Sequence, residues 1–170
     1  MPTALCFDVY GTLYDTHSVV TRMRERLDAP AGLVDAVSDL WREKQLVYSY
    51  QLALMADYRP FGEVTADALA YALDYYGLDP RATDVDAMLA AYEELRPFDD
   101  AVEALDALAD DCRLAILSNG DPGMLSILTE NTGLAGRFEA VVSADEVGTF
   151  KPAPVVYENT ADRLDLPLAE

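Results

Sequence analysis

The chain has 170 residues and a formal net charge of −19 at pH 7, because 31 aspartate and glutamate residues outnumber 12 lysine and arginine residues. Hydrophobic residues make up 51% of the sequence, which indicates a folded core and excludes a disordered chain. The negative charge excludes nucleic-acid binding through a broad basic face. A membrane span is excluded because no stretch approaches the ~20 apolar residues that it needs.

The first predicted element is a short buried strand. The apolar run 4–7 is continuous and ends at Asp8, as in a strand that is covered on both faces. The N-terminal residues 1–8 carry neither the charged nor the apolar region of a signal peptide, so we expect a cytoplasmic protein.

Residues 16–95 have helical patterns throughout, apart from a loop predicted at 59–62. We expect four helices in this region, of which the second is the longest. The predicted boundary residues are Thr16 as cap of the first helix, Pro30 at the start of the second, Thr65 as cap and Gly77 as end of the third, and Asp84 and Leu95 as limits of the fourth.

From Pro97 onward, predicted strands alternate with predicted helices. Strands are expected at 114–117 and 139–143, and helices at 102–108, 122–132 and after Pro152. This alternation indicates a parallel sheet with right-handed crossovers. The sequence therefore predicts an α/β protein with a Rossmann-like core and an inserted all-helical cap. The predicted core comprises residues 1–14 and 97–170, and the predicted cap residues 15–96.

Polar residues follow each of the three predicted strands. Asp8 ends the first, Ser118 and Asn119 end the second, and Lys151 lies in the loop after the third. In open α/β sheets, ligands bind at the carboxyl ends of the strands. We therefore expect a carboxylate, a hydroxyl, an amide and an ammonium group to converge on one edge of the sheet.

The lysine and cysteine contents carry two further expectations. Only Lys44 and Lys151 are lysines, and an acidic, lysine-poor surface is typical of proteins from a high-salt cytoplasm, where screening removes self-repulsion. We expect a halophilic protein, with an ordinary acidic protein as the alternative. Cys6 and Cys112 lie far apart, without a Cys-x-x-Cys pair or a histidine cluster, so we expect two buried thiols and no zinc site or disulfide framework.

In their order along the chain, the polar residues Asp8, Ser118, Asn119 and Lys151 resemble the motif residues of the haloacid dehalogenase superfamily. Phosphatases of that superfamily carry an aspartate two residues after the nucleophile, where this sequence has Tyr10. The segment 40–46, followed by Tyr48, resembles the helix of L-2-haloacid dehalogenases that supplies an active-site arginine, which here is Arg42. The segments that match the first three motifs of the superfamily are Asp8-Val-Tyr-Gly-Thr-Leu13, Leu117-Ser-Asn-Gly120 and Lys151-Pro152.

This resemblance implies a role for eight residues. A nucleophilic carboxylate forms an ester with the substrate, its partners hold it in place, and other side chains bind the substrate carboxylate and the halide. The implied catalytic residues are Asp8 as nucleophile, Lys151 as its counter-ion, and Thr12 and Ser118 as hydrogen-bond partners of the Asp8 and substrate carboxylates. The implied binding residues are Arg42 and Asn119 for halide or carboxylate, and Tyr10 and Tyr157 as pocket walls.

Each assignment has a structural alternative. Solvated surface side chains are the alternative for Lys151 and Arg42, and ordinary core aromatics are the alternative for Tyr10 and Tyr157. Plain turn or cap residues are the alternative for Asp8, Thr12, Ser118 and Asn119. For Arg42 the polar but nearly uncharged helical stripe of Ser38, Arg42, Gln45 and Ser49 argues for a face turned to a cleft.

The resemblance implies hydrolysis of small L-2-haloacids to D-2-hydroxyacids, without a metal or organic cofactor, by a possible homodimer. A halide leaves without a proton, so neither a second aspartate nor magnesium is needed. Two alternatives stay open: a small-molecule phosphatase of the same superfamily, and a non-catalytic fragment or binding protein. The second alternative arises because the sequence does not contain the superfamily's fourth motif, a strand ending in Ser-x-Asn. This motif is expected about where the sequence stops, at Ala169 and Glu170. We expect the natural protein to be longer.

Overall fold

The computed structural model describes residues 3–81 and 83–167. Within these ranges, three short 3-10 helices accompany the longer elements, at Ala90–Glu93, Ala135–Arg137 and Ala144–Val147. The longer elements are β1 (Thr3–Phe7), β2 (Tyr14–Asp15), α1 (Ser18–Arg26), α2 (Ala31–Met55), α3 (Phe61–Tyr75), α4 (Val85–Leu89), β3 (Arg96–Pro97), α5 (Asp99–Leu108), β4 (Cys112–Ser118), α6 (Pro122–Asn131), β5 (Ala140–Ser143) and α7 (Pro154–Arg163).

Strands β1, β4 and β5 form a parallel sheet in which β4 lies between the other two. The register pairs Phe7 with Ile116 and Ser118 with Ser143, so the three strands end at the same edge. The β4 residues 114–118 are all buried, as the continuous apolar run requires for a strand covered on both faces. The predicted α/β fold with a parallel sheet is confirmed.

Strands β2 and β3 form an antiparallel pair that the sequence did not predict. Tyr14 pairs with Pro97 and Asp15 with Arg96, so the chain passes between the sheet and the helices α1–α4 at one place. This pairing supports the predicted boundaries of an inserted cap, at residues 14–15 and 96–97, which stay a prediction.

Helices α2 and α3 pack side by side and hold the core of the helical region. The indole Nε1 of Trp41 donates a hydrogen bond to Thr65 O at 2.8 Å, and the Trp41 side chain is buried. Val34, Val37 and Leu69 are also buried here, and burying each such side chain stabilises the fold by about 1.5–3 kcal/mol. Within the described residues, no helix has both the length and the apolar character that crossing a membrane requires.

Three predicted helix boundaries are wrong. Helix α1 begins after His17 instead of Thr16, because the Asp15 carboxylate accepts a hydrogen bond from the His17 backbone N–H at 2.8 Å. Helix α3 begins at Phe61, inside the predicted loop, and Thr65 lies in its interior with its hydroxyl bonded to Phe61 O. The fourth predicted helix changes to a 3-10 helix at Ala90.

The prediction of two buried cysteines is also wrong. Cys6 is exposed and Cys112 is half-buried. Strand β1 pairs only with β4 among the strands that the structure describes, so fewer elements surround its side chains than surround those of the central strand β4.

Candidate active site

A cleft of about 710 Å³ lies between the carboxyl ends of the parallel strands and helix α2. Asp8 is the one acidic side chain among the described residues that line it, and Arg42 and Lys151 are the two cations. The remaining wall is mostly apolar or aromatic. Six of the eight predicted site residues line this cleft: Asp8, Tyr10, Arg42, Asn119, Lys151 and Tyr157.

Asp8 and Lys151 form an ion pair at the centre of this arrangement. The Lys151 ammonium Nζ lies 2.7 Å from Asp8 Oδ1 and also donates to Leu117 O at 2.9 Å. The backbone N–H of Lys151 donates to Asn119 Oδ1 at 2.8 Å. Within the part of the chain that the structure describes, Asp8 Oδ2 accepts no hydrogen bond. One carboxylate oxygen of Asp8 is thus held by a cation, and the other is available for chemistry.

Asn119 follows β4 and presents its amide to the cleft. Because Asn119 Oδ1 accepts the Lys151 N–H, the orientation of the amide is fixed, and its Nδ2 group carries the donors that remain. Nδ2 donates no hydrogen bond within residues 3–81 and 83–167. Such a donor suits an anion.

Arg42 is half-buried on α2 and forms no ion pair with the described acids. Its Nη1 donates to Gln45 Oε1 at 2.5 Å, and its Nη2 donates to Tyr10 O at 3.0 Å. Two of its five N–H groups are used in this way, which holds the guanidinium in the cleft and leaves other donors for an anionic ligand. Gln45 and Ser49, predicted on the same cleft-facing stripe, are instead fully buried.

Tyr10 fills the position two residues after Asp8 with a buried ring. The ring stacks on Phe61 at a centroid distance of 5.9 Å and meets Tyr92 edge-on at 5.8 Å. A Cβ at Gly120 would lie 2.8 Å from the Tyr10 hydroxyl, so glycine leaves the space for this ring. Burial is the main cause that raises the pKa of the Tyr10 phenol above its usual value, and the hydroxyl has no hydrogen-bond partner among the described residues.

Thr12 and Ser118 are not brought to the cleft. Thr12 is exposed, and its backbone N–H donates to Val9 O at 3.3 Å. Ser118 is fully buried, and its Oγ accepts a hydrogen bond from the Gly120 N–H at 3.2 Å. Their implied contacts with carboxylates stay predictions.

Several cleft residues were missed by sequence reasoning. Leu46, Tyr50 and Leu54 follow Arg42 at helical spacing, so the face of α2 could have revealed them. Phe61 had been placed in a loop. Among the residues that the structure describes, no group of three or more histidine, cysteine, aspartate or glutamate side chains could hold a metal ion.

Known proteins resemble the whole described chain. A family model described as haloacid dehalogenase-like hydrolase matches residues 2–170. The (S)-2-haloacid dehalogenase of Xanthobacter autotrophicus is 42% identical over 170 residues, which are all of this chain and 66% of that protein. The (S)-2-haloacid dehalogenase 4A of Burkholderia cepacia is 40% identical over 95% of this chain and 69% of its own length.

Solved structures give the same relationship. The L-2-haloacid dehalogenase from Xanthobacter autotrophicus superposes with a TM-score of 0.90 at 41% identity, over 98% of this chain and 66% of that one. A second structure of that enzyme, with chloropropionic acid covalently bound, matches equally well. The chain spans just under two thirds of this relative's length. Because the family model covers almost every residue and a relative that is 42% identical superposes closely on the fold, the chain belongs to the haloacid dehalogenase-like hydrolases.

Proposed function

We propose that the protein hydrolyses L-2-haloacids to D-2-hydroxyacids through a covalent ester on Asp8. One observation carries this proposal: a carboxylate paired with Lys151 at 2.7 Å opens onto a cleft whose other charged group is Arg42. The names of the relatives from Xanthobacter and Burkholderia, and the covalently bound chloropropionic acid in one of them, support it.

Ester formation uses the carboxylate oxygen that Lys151 leaves free. Asp8 Oδ2 attacks the α-carbon, a carbon–oxygen bond forms, and the carbon–halogen bond breaks with its electron pair leaving on the halide. Attack from the side opposite the halide inverts the α-carbon. A halide is a weak base, so this step needs no general acid where Tyr10 stands.

Substrate binding falls to the two groups with free donors. The Arg42 guanidinium and the Asn119 amide together face the substrate carboxylate and the halide, which are both anions by the end of the step. The rings of Tyr10 and Phe61 make one wall of the cleft apolar, and less polar surroundings strengthen these contacts.

Ester hydrolysis gives Lys151 its chemical role. Once Asp8 Oδ2 is esterified, Oδ1 is the carbonyl oxygen of the ester, and water attack on the carbonyl carbon places negative charge on it. Lys151 Nζ already lies 2.7 Å from that oxygen and therefore stabilises the tetrahedral intermediate. Collapse of the intermediate breaks the bond between the carbonyl carbon and the ester oxygen. The departing alkoxide takes one proton of the attacking water and leaves as the hydroxyacid, the other proton passes to solvent, and the Asp8 carboxylate is restored with an oxygen from water.

The decisive assay measures halide release from the two enantiomers of 2-chloropropionate by the purified protein, with and without EDTA. We expect turnover of the L form only, unchanged by EDTA, and loss of turnover in Asp8→Asn. Asp15→Asn, a matched change of an acid outside the cleft, should keep it. Magnesium-dependent release of phosphate from p-nitrophenyl phosphate without halide release would instead favour the phosphatase.

Isotope labelling tests the covalent step itself. With enzyme in excess over substrate in ¹⁸O-water, label should enter the Asp8 side chain, because water attacks the ester at the enzyme carbonyl. Label confined to the product acid would mean that water attacks the α-carbon directly, and Asp8 would then not be the nucleophile.

We further propose a cytoplasmic, halophilic homodimer that binds no nucleic acid. The net charge of −19 supports the halophilic character and the lack of nucleic-acid binding. Exposed aromatic residues on α3 support self-association, since Tyr71 and Tyr75 stack on each other at 6.1 Å and are 41% and 65% exposed. Light scattering of the protein and of Tyr75→Glu tests the dimer, which the variant should weaken.

A further inference from the structure

A chain of hydrogen bonds connects Arg42 to the first turn of α3. Gln45, which accepts from Arg42 Nη1, donates through Nε2 to Thr65 Oγ1 at 2.8 Å. Thr65 Oγ1 in turn donates to Phe61 O at 2.7 Å. Gln45 and Thr65 are fully buried, so neither can exchange its partner for water. The orientation of the Arg42 guanidinium therefore depends on where the first turn of α3 lies.

The carboxylate of Asp121, in the loop between β4 and α6, binds the first turn of α3. Its Oδ1 accepts the Phe61 N–H at 2.7 Å, and its Oδ2 accepts the Gly62 N–H at 2.8 Å. Pro60, the residue before α3, has no side-chain hydrogen bond to offer. A carboxylate bound to the free N–H groups at a helix start satisfies them and interacts favourably with the helix dipole.

Asp121 does not perform this task for its own helix. It occupies the position before α6, where an aspartate commonly caps the helix that follows, but its side chain makes no such bond. Both oxygens are instead used by α3, which lies about 60 residues away in sequence. Since Asp121 is two residues after Asn119, it links the loop after β4 to α3.

The sequence of α3 fits this contact. A Cβ on Gly62 would lie 2.9 Å from Asp121 Oδ2, a distance that real Cβ atoms essentially never show. The two-point contact thus requires glycine at this position, although glycine is unfavourable within a helix. Gly62 on α3 and Asp121 after β4 therefore fit each other closely, although they belong to separate segments of the chain.

We propose that Asp121 is a positioning residue of the active site. It fixes the first turn of α3 on the core and thereby sets the position of Phe61 in the cleft wall and, through Thr65 and Gln45, the orientation of Arg42. Asp121 itself does not line the cleft. The kinetic consequence rests on the proposed dehalogenase function, whereas the structural consequence does not.

Trp41 provides a readout that is independent of activity. It is the chain's single tryptophan, it is buried, and its indole N–H is bonded to Thr65 O on α3. In Asp121→Ala we expect increased quenching of its fluorescence by acrylamide, because α3 is no longer held at its first turn. Asp84→Ala is the matched control, since it also removes a helix cap, that of α4, away from the cleft.

The kinetic readout separates positioning from general damage. Asp121→Ala should raise KM for L-2-chloropropionate by about tenfold, which corresponds to ~1.4 kcal/mol of lost binding. It should change kcat less, because the Asp8–Lys151 pair is untouched. Asp121→Asn keeps one acceptor oxygen and should lie between Asp121→Ala and the unmodified protein in both readouts.

Unchanged Trp41 quenching and KM in Asp121→Ala would overturn the proposal, as would equal changes in Asp84→Ala. If the unmodified protein releases no halide, the proposed function fails, and the quenching data still decide the role of Asp121. If Asp121→Ala does not fold, Gly62→Ala replaces it. Alanine favours a helix over glycine, so a higher Tm with unchanged quenching would overturn the proposal, and a lower Tm with greater quenching would support it.

Discussion

Replacing Arg42 with lysine tests the proposal that this residue binds the substrate anion. The Arg42 guanidinium spans two fixed acceptors, Gln45 Oε1 and Tyr10 O, while still carrying N–H groups for a ligand. A lysine ammonium is a single mobile charge and cannot span both acceptors in the same plane. Arg42→Lys therefore keeps the positive charge and removes the geometry.

Two magnitudes follow from the contacts of Arg42. Gln45 Oε1 is fully buried, and leaving such an acceptor without its donor costs about 1–3 kcal/mol in the free energy of unfolding. A hydrogen bond to a charged group contributes about 1.5–3 kcal/mol, so losing one contact to the substrate anion lowers kcat/KM by ~10- to 100-fold. We expect both losses in the same variant.

The measurements are urea unfolding and steady-state halide release from L-2-chloropropionate. Arg24→Lys is the control, because Arg24 is a half-exposed helical arginine paired with Asp35 on the surface. Its effect on stability should stay within about 0.5 kcal/mol, with unchanged kinetics. Equal behaviour of Arg42→Lys and Arg24→Lys would show that Arg42 is an ordinary surface arginine and refute the reasoning.

Three further predictions concern Lys151, high pH and salt. Lys151→Met should form the Asp8 ester but hydrolyse it roughly 100- to 1,000-fold more slowly, so that intact-mass spectra show the adduct. Ester formation that is slowed as much as ester hydrolysis would contradict a specific role of Lys151 in the hydrolysis step. Burial raises the pKa of Tyr92 to about 12 and also raises the pKa of Tyr10, so the stability that the neutral phenols contribute is complete below pH ~10. Above pH ~10 the contribution of each phenol falls by ~1.4 kcal/mol per pH unit until the pH reaches its raised pKa, which for Tyr92 is about 12. Urea unfolding at increasing pH should show this decline, and a flat profile would argue against it. The Debye length falls from ~10 Å at 0.1 M salt to ~3 Å at 1 M, so salt screens the repulsion among the excess acidic groups of the folded protein. Tm should therefore be higher in molar KCl than in dilute buffer, and an unchanged or lower Tm would remove the halophilic proposal.

The sheet and much of the cleft could be predicted because they depend on local patterns. Asp8, Asn119 and Lys151 each follow an apolar run, and parallel strands bring such positions to one edge. These inferences need only the order of elements along the chain. Arg42 was placed by the resemblance of its helix to that of L-2-haloacid dehalogenases, because the helical period alone did not separate it from the buried Gln45.

What the sequence could not reveal depends on contacts between distant segments. The start of α3 at Phe61 was missed because its capping group is Asp121, which local capping rules do not reach. The burial of Gln45 follows from its packing against α3, and helical spacing alone does not distinguish a cleft from a neighbouring helix. The exposure of Thr12 likewise depends on how its turn is oriented in three dimensions.

Tyr10 shows how one position selects the chemistry of this site. A carboxylic acid two residues after the nucleophile could donate a proton to an alkoxide, and ionised it could help to hold a cation. The Tyr10 phenol is neutral at physiological pH and so carries no charge to hold a cation, and burial raises its pKa further, which makes it a poor proton donor. Its ring instead packs between Phe61 and Tyr92 and makes the wall beside Asp8 apolar. For the proposed nucleophile Asp8, such surroundings suit a substrate whose leaving group departs as a stable anion, as a halide does.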